Sequence, residues 1–321
     1  MDDLVDRILR GDRRSLARAM SLVDQPGHRE LQLEDRLRRS TGQVPWWGIT
    51  GPPGVGKSTL IDALIEMLRK RGRRIGVVAV DPTSPLSSGA LLGDRVRMMR
   101  HAVDGDVFIR SLATHGREGG LSDAAIHCAR LLELADYDPV LIETVGVGQN
   151  EVDIARVADI CIVILGPGYG DGIQLIKAGL LEIPDIVVVN KCDLPETNRL
   201  LSELHEELGA TPPAKSIEMV GIEAKSGKGV DLLLDKLLEL DRVARGKQQR
   251  QVLRHRRILG EVERIAMLTY ERALRRELAG ADAQELIVRL NRGELTIDSV
   301  IARLGSAALI DQQRQTDDAP G

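Results

Sequence analysis

The spacing of apolar residues divides the chain into three parts. In residues 3–24, apolar side chains recur at helical spacing with an interruption at Gly11 and Asp12, and residues 30–39 predict a further helix. From residue 45 onward, short continuous apolar runs alternate with helical stretches. This alternation is typical of an α/β fold with a doubly wound, mainly parallel sheet that helices cover on both faces. The predicted strands are residues 45–50, 75–80, 107–112, 140–143, 160–165 and 186–190, with a weaker seventh at 214–219.

The apolar runs stop after residue 240. Residues 241–280 predict one long helix rich in arginine and glutamate, and shorter helices follow near 282–292 and 296–305. The polar residues at the C-terminal end predict disorder. The predicted organisation is an N-terminal helical extension over 1–43, an α/β domain over 44–240, a helical C-terminal arm over 241–310 and a disordered tail over 311–321.

Composition narrows the function classes. The net charge of −4 gives no reason to expect nucleic acid or an anionic membrane as a partner. Cys128, Cys161 and Cys192 are scattered, which supports neither a disulfide framework nor a zinc site. The longest apolar run, residues 160–165, is too short to span a bilayer, and the acidic start at Asp2 differs from a signal peptide. We therefore expect a cytoplasmic protein.

The strongest chemical signal is a GxxxxGK[ST] pattern between the first predicted strand and the helix after it. Glycines in such a loop let backbone N–H groups turn toward phosphates, and the helix N-terminus adds a favourable dipole. The lysine is expected to reach the β- and γ-phosphates as a catalytic residue, and the serine hydroxyl is expected to bind Mg²⁺. The predicted phosphate-binding residues are Gly51, Pro52, Pro53, Gly54, Val55, Gly56, Lys57, Ser58 and Thr59.

A second motif indicates which nucleotide base the site binds. Asn190, Lys191 and Asp193 follow the sixth predicted strand, at the sheet edge where ligands bind. A carboxylate there can accept hydrogen bonds from N1–H and N2–H₂ of guanine, whereas adenine offers no such pair of donors. This motif therefore predicts GTP. Downstream, Glu223-Ala224-Lys225 resembles the Ser-Ala-Lys element of GTPases, whose alanine amide contacts guanine O6, although glutamate here replaces serine.

Acidic residues close two further predicted strands. Glu143 ends the strand at 140–143, where a carboxylate suits Mg²⁺ directly or through water. Gly146 fits the glycine whose amide meets the γ-phosphate, while Val147 stands where Ras-like proteins carry the glutamine that orients water, so slow hydrolysis is expected. Asp81 would position water or complete the magnesium shell, or would be an ordinary turn residue. Asp94, taken alone, predicts only a helix cap.

Together these motifs resemble the methylmalonyl-CoA-mutase-associated GTPases of the MeaB/ArgK type. Residues 80–84 and 89–95 match that family's switch I region, and residues 142–151 match its glutamate-type Walker B run. Residues 170–177 are similar to its mobile switch III. The resemblance covers nearly the whole chain, including the N-terminal helices and the C-terminal arm.

The resemblance implies a P-loop GTPase that escorts an adenosylcobalamin-dependent acyl-CoA mutase. Members of the family gate cofactor loading, protect the mutase and help to reactivate it. Asp81, Asp94 and Glu143 fall on the family's magnesium-associated and catalytic acidic positions, with Ser58 beside them. The implied ligands are Mg²⁺ with GTP or GDP. The resemblance also implies homodimerisation through the C-terminal arm and weak hydrolysis that the mutase stimulates.

Three other functions remain open from the sequence. The first is an ATP-dependent kinase of a basic amino acid transport system, which Asp193 disfavours because it prefers guanine. The second is a nickel or cobalt metallochaperone GTPase, which the lack of Cys/His clusters disfavours. The third is a regulatory GTPase with another effector. The loops at 114–120 and 168–170 differ from the commoner family versions, which leaves the identity of the client mutase open.

Overall fold

The computed structural model describes residues 2–24, 44–81, 99–101, 103–113, 123–144, 150–168, 184–210 and 217–305. Contacts within the chain define two units, residues 1–257 and 258–321, and each is described by itself. The helix predicted at 30–39 and the tail predicted at 311–321 lie outside the described residues.

One sheet organises the first unit. Its strands among the described residues are β1 (Trp46–Thr50), β2 (Ile75–Asp81), β3 (Val107–Ala113), β4 (Val140–Glu143), β5 (Ile160–Leu165), β6 (Ile186–Val189) and β7 (Glu218–Gly221). All neighbouring strands are parallel, in the order β3-β2-β4-β1-β5-β6-β7. The predicted doubly wound parallel fold is confirmed. Because β1 lies between β4 and β5, the loop that follows β1 opens at the centre of the sheet's C-terminal edge.

Helices cover both faces of this sheet. Among the described residues, the helices of the first unit are α1 (Asp2–Leu9), α2 (Arg13–Val23), α3 (Lys57–Lys70), α4 (Asp123–Leu134), α5 (Asn150–Val157), α6 (Glu196–Ala210) and α7 (Val230–Ala244). A further helix, α8 (Lys247–Ala279), begins in the first unit and continues into the second, which also contains α9 (Ala281–Asn291). Successive strand residues point to opposite faces and so enter two separate cores. Trp46 packs in the core that includes α1, α2, α4, α5 and α6, whereas Trp47 packs in the core that includes α3 and α7.

The N-terminal helices are fixed to the first unit by polar contacts as well as packing. Asp12 caps α2, and its carboxylate accepts hydrogen bonds from the Ser15 hydroxyl at 2.8 Å and from the Arg14 amide at 3.0 Å. The Ser15 hydroxyl, together with Arg7, lowers the pKa of Asp12 to about 2. Arg13 donates to the carbonyl oxygen of Val107 at 2.9 Å, which holds α2 against the start of the edge strand β3.

The prediction of one continuous helix over 241–280 is wrong, because α7 ends at Ala244 and a separate helix, α8, begins at Lys247. Gly246 lies at the break, where glycine is a poor helix former. Arg245 follows the last residue of α7. Its guanidinium group donates hydrogen bonds to Asp241 at 3.0 Å and to Asp138, which lies just before β4. Burial raises the pKa of the Asp241 carboxyl, while Arg245 opposes that shift.

Two further elements differ from the sequence prediction. The seventh strand covers Glu218–Gly221 and so ends two residues later than predicted, because its pairing with β6 runs from Ile186↔Glu218 to Val189↔Gly221. Residues 214–216 of that prediction lie outside the described residues. Helix α5 was not predicted. Its formation depends on packing across the chain, since Ile154 is buried against Gly48 of β1.

The second unit is helical in its described part. It contains residues 258–279 of α8, then α9 and a helical stretch over 297–305. A small core joins these segments through Ala283, Val300 and Leu304. On α8, the side chains of Ile258 and Val262 are 45% and 56% exposed. Nowhere in the described ranges does a helix have both the length and the apolar character needed to cross a membrane.

Candidate nucleotide-binding site

The phosphate loop connects β1 to α3 in a conformation that only glycine tolerates at two positions. Gly51 and Gly56 have φ angles of 143° and 106°. A Cβ at Gly51 would lie 2.2 Å from the carbonyl oxygen of Ile164, and a Cβ at Gly56 would lie 2.3 Å from Nδ2 of Asn190. Both positions of the sequence pattern therefore require glycine, because the backbone is left-handed there and because a side chain would collide with Ile164 of β5 or with Asn190 after β6.

Lys57 is held inside this loop. It is the first residue of α3 and is only 8% exposed. Its ammonium group donates to the carbonyl oxygens of Gly51 at 2.9 Å and Pro52 at 3.1 Å. A buried cation at the N-terminus of a helix is suited to bind phosphate oxygens.

Ser58 and Glu143 form the part of the site that fits a magnesium ion. The Ser58 hydroxyl donates to Oε1 of Glu143 at 2.9 Å, and both residues are buried. Their approach follows from the sheet, because Ile49 of β1 is in register with Glu143 of β4. A hydroxyl and a carboxylate are hard oxygen ligands of the type that Mg²⁺ prefers, so these residues fit that ion.

Asn190 connects the predicted base-binding motif to the phosphate loop. Its Nδ2 donates to the carbonyl oxygen of Val55 at 2.8 Å, and its Oδ1 accepts from the amide of Ala224 at 3.0 Å. Lys191, which has a φ of 64°, donates through Nζ to the carbonyl oxygen of Gly54 at 3.2 Å. The first two residues of the motif therefore brace the loops, while Asp193 is exposed and available to a ligand.

The segment Glu223-Ala224-Lys225 lies beside that motif. The amide of Cys192 donates to the carbonyl oxygen of Ile222 at 3.1 Å, which joins the two segments directly. Burial raises the pKa of the Cys192 thiol, with a further contribution from the charge of Asp193. The resemblance assigns the backbone N–H of Ala224 to guanine O6. In this structure that N–H donates a hydrogen bond to Oδ1 of Asn190.

The remaining predicted residues are placed only in part. Asp81 is the last residue of β2, two residues beyond the register pair Ala79↔Glu143, so its backbone lies at the same edge as Glu143. Its side chain, and all of Asp94 and Gly146, lie outside the described residues. Their roles remain predictions.

A pair of threonines at this edge was not singled out from the sequence. The Thr144 hydroxyl donates to Oγ1 of Thr50 at 2.8 Å, and both side chains are buried. Each is a hydroxyl residue at the end of an otherwise apolar strand run. That pattern is visible in the sequence, but the strand order that makes the two residues neighbours is not.

Comparisons with known proteins show which family this chain resembles. A family model described as methylmalonyl Co-A mutase-associated GTPase MeaB matches residues 16–281, which include the whole described site. A Pyrococcus abyssi protein that carries a GTPase name is 40% identical over 309 residues, covering 92% of this chain and 93% of that protein. The mouse protein named methylmalonic aciduria type A homolog, mitochondrial, is 35% identical over 259 residues, covering 74% of this chain and 62% of that protein. The crystal structure of an LAO/AO transport system kinase has a TM-score of 0.69 and 26% identity, covering 95% of this chain and 96% of that chain.

Proposed function

We propose, because this chain belongs to the family of methylmalonyl-CoA-mutase-associated GTPases, that it couples GTP hydrolysis to the assistance of an adenosylcobalamin-dependent acyl-CoA mutase. The proposed assistance consists of gating cofactor loading, protecting the mutase and helping to reactivate it. One observation carries the proposal: the family match extends across a site in which Lys57, the Ser58–Glu143 pair and Asn190 are assembled at one sheet edge.

The residues of this edge divide the work of binding GTP. The loop amides and the Lys57 ammonium bind the β- and γ-phosphates, and the loop glycines allow the backbone to approach them. Asp193 accepts the guanine N1–H and N2–H₂ groups. Asn190 keeps the base-binding and phosphate-binding segments at a fixed separation through its contacts with Val55 and Ala224.

Ser58 and Glu143 are the residues that would hold magnesium. A bound Mg²⁺ would supply positive charge that offsets the negative charge developing on the phosphate groups during hydrolysis. The Ser58–Glu143 hydrogen bond of 2.9 Å keeps the two oxygen ligands close before any ion binds. Asp81, at the end of β2, is proposed as a further member of this group because its backbone lies at the same edge.

The C-terminal part of the chain supports a homodimer in this proposal. Ile258 and Val262 lie four residues apart on α8, so both point to the same side of the helix. Both side chains are about half exposed. An apolar stripe of this kind suits a second subunit, and light scattering of the wild type against Ile258→Asp/Val262→Asp would test it. A dimer that persists in the double variant would contradict the assignment of this stripe.

A second candidate function is an ATP-dependent kinase of a basic amino acid transport system. It is favoured by the structural similarity to the LAO/AO transport system kinase. The exposed Asp193 disfavours it, because a carboxylate at this position prefers guanine over adenine. Nucleotide preference therefore separates the two functions.

The experiment that tests the proposal is steady-state hydrolysis of GTP, with and without purified acyl-CoA mutases, and with ATP in parallel. We expect slow GTP turnover that one mutase accelerates, and no ATP turnover. Lys57→Ala serves as the inactive control for contaminating hydrolases. If no mutase changes the rate of GTP turnover, the GTPase activity stands and the proposed mutase partner is contradicted. If ATP is turned over in preference to GTP, the kinase function is favoured.

A further inference from the structure

Two buried threonine hydroxyls meet at the base of the phosphate loop. Thr50 is fully buried and Thr144 is 3% exposed. The Thr144 hydroxyl donates to Oγ1 of Thr50 at 2.8 Å, a normal distance for a bond between two hydroxyl groups. Neither residue was predicted to contact the nucleotide.

Their positions in the chain give this bond its significance. Thr50 is the last residue of β1 and directly precedes Gly51 of the phosphate loop. Thr144 directly follows Glu143, and its amide donates to the carbonyl oxygen of Ile49 at 3.1 Å. The Ser58–Glu143 bond lies one residue away along β4. The end of β4 is therefore hydrogen-bonded to the residue before the loop, Thr50, and to Ser58 in the first turn of α3.

Packing alone does not require hydroxyl groups here. Two valines would fill nearly the same volume and would leave no buried polar group to satisfy. A hydroxyl pair differs from a valine pair in being directional, because its bond fixes the side-chain rotation and the separation of the two strand ends. The hydroxyl pair therefore fixes the position of the strand end at Thr144, the residue next to Glu143.

We propose that Thr50 and Thr144 are positioning residues for the magnesium site. Their hydrogen bond holds the end of β4 so that the Glu143 carboxylate stays within reach of Ser58. This inference rests on the proposed magnesium role of Ser58 and Glu143. Since Mg²⁺ requires nearly ideal octahedral geometry, a small displacement of one ligand lowers its affinity. Residues that orient metal ligands typically contribute about 10- to 100-fold to metal affinity.

The test is a double-mutant cycle with two readouts. Thr50→Val, Thr144→Val and the double variant are compared by urea unfolding without ligand and by calorimetric GDP affinity over a series of Mg²⁺ concentrations. Each single variant should lose stability, because it leaves one buried hydroxyl without its partner, and the double variant should recover most of that loss. The gain in GDP affinity that Mg²⁺ provides should nevertheless fall about 10-fold or more in the double variant.

Two controls make the result decisive. Ser15→Ala removes another buried hydroxyl that is hydrogen-bonded, far along the chain in α2, and should lower stability without changing the Mg²⁺ dependence. Ser58→Ala should abolish the Mg²⁺ dependence. If the wild type depends on Mg²⁺ and the double variant depends on it equally, the positioning role is overturned while the magnesium site stands. If wild-type GDP affinity ignores Mg²⁺, the magnesium site and the inference built on it are both overturned.

Discussion

The side-chain amide of Asn190 holds the carbonyl oxygen of Val55 at 2.8 Å, so the motif proposed to bind the base is fastened to the loop proposed to bind the phosphates. The other end of the same amide accepts the backbone N–H of Ala224 at 3.0 Å. Asn190 is 4% exposed, so both bonds are shielded from water. One side chain therefore joins three segments that are distant along the chain.

Replacing this side chain should loosen all three segments. In Asn190→Ala, the Val55 carbonyl and the Ala224 amide lose their partner while buried, and each such loss costs about 1–3 kcal/mol. We expect the free energy of unfolding to fall by about 2–4 kcal/mol and GDP affinity to weaken with it. Urea unfolding and calorimetry measure the two effects. The exposed Asn198→Ala on α6 is the control, and equal stability of the two variants would contradict the bridging role.

Lys57 should be required for turnover but not for folding. We expect Lys57→Ala to lower GTP turnover by about 100-fold or more, since it removes a fixed positive charge from the phosphate site. The unfolding midpoint should change little, because the hydrogen bonds to Gly51 and Pro52 join the ammonium group to the loop itself and not to a distant part of the core. Lys70→Ala, on the exposed face of the same helix, should retain wild-type turnover. Wild-type turnover in Lys57→Ala would refute the site.

Asp193 should decide the choice of base. Asp193→Asn removes the carboxylate that accepts two guanine donors, and a hydrogen bond to a charged group is worth about 1.5–3 kcal/mol. We therefore expect GTP affinity to fall about 10- to 100-fold with little change for ATP. Competition binding of GTP and ATP measures the ratio. Glu239→Gln, an exposed acidic residue on α7, should leave that ratio unchanged, and an unaltered ratio in Asp193→Asn would reject the assignment.

Gly48 leaves no room for a side chain between β1 and α5. A Cβ there would lie 2.4 Å from Cγ1 of Ile154 and 2.8 Å from Cβ of Ala158. Gly48→Ala should destabilise the protein by about 1–3 kcal/mol through overpacking. A Cβ at Gly105 meets nothing within 4 Å, so Gly105→Ala should be nearly neutral in the same urea unfolding experiment. Similar stabilities of the two variants would show that α5 shifts without cost.

Asp241 should give the stability a pH dependence of known sign. Burial raises its pKa above the ordinary value of 3.8, so the folded state binds the proton more readily than the unfolded state. Its contribution to stability is fully present below that ordinary pKa and is lost as pH rises through the raised one. Stability curves from about pH 4 to about pH 7 should therefore diverge between wild type and Asp241→Asn, with the wild type gaining at the acidic end. Parallel curves would contradict this.

The sequence predicted the fold and the local parts of the site for a physical reason. Short continuous apolar runs that alternate with helical stretches are typical of parallel strands buried on both faces. The need for glycine at Gly51 and Gly56 arises within the phosphate loop, which the sequence pattern identifies. The contacts that sequence reasoning missed join distant segments. The Thr50–Thr144 bond and the use of the Ala224 amide by Asn190 both depend on strand order and register, which no local pattern encodes.

The same limit explains the errors in secondary structure. Helix α5 and strand β7 are short, so their neighbours rather than their own apolar spacing determine where they form. The break before α8 coincides with Gly246, a local helix-breaking residue, and with the contact from Arg245 to Asp138, which is distant along the chain. Asp81, Asp94 and Gly146 stay predictions as ligands, because their side chains or their whole residues lie outside the described ranges.

The placement of Trp46 and Trp47 gives the molecule a built-in optical probe. They are the chain's two tryptophans, adjacent in β1 and fully buried on opposite faces of the sheet, a few residues before the phosphate loop. Each indole therefore senses a different core. Ultraviolet emission from the unlabelled protein should report on both sides of the sheet at once, and exchanging either ring for phenylalanine would show which side responds when a nucleotide enters.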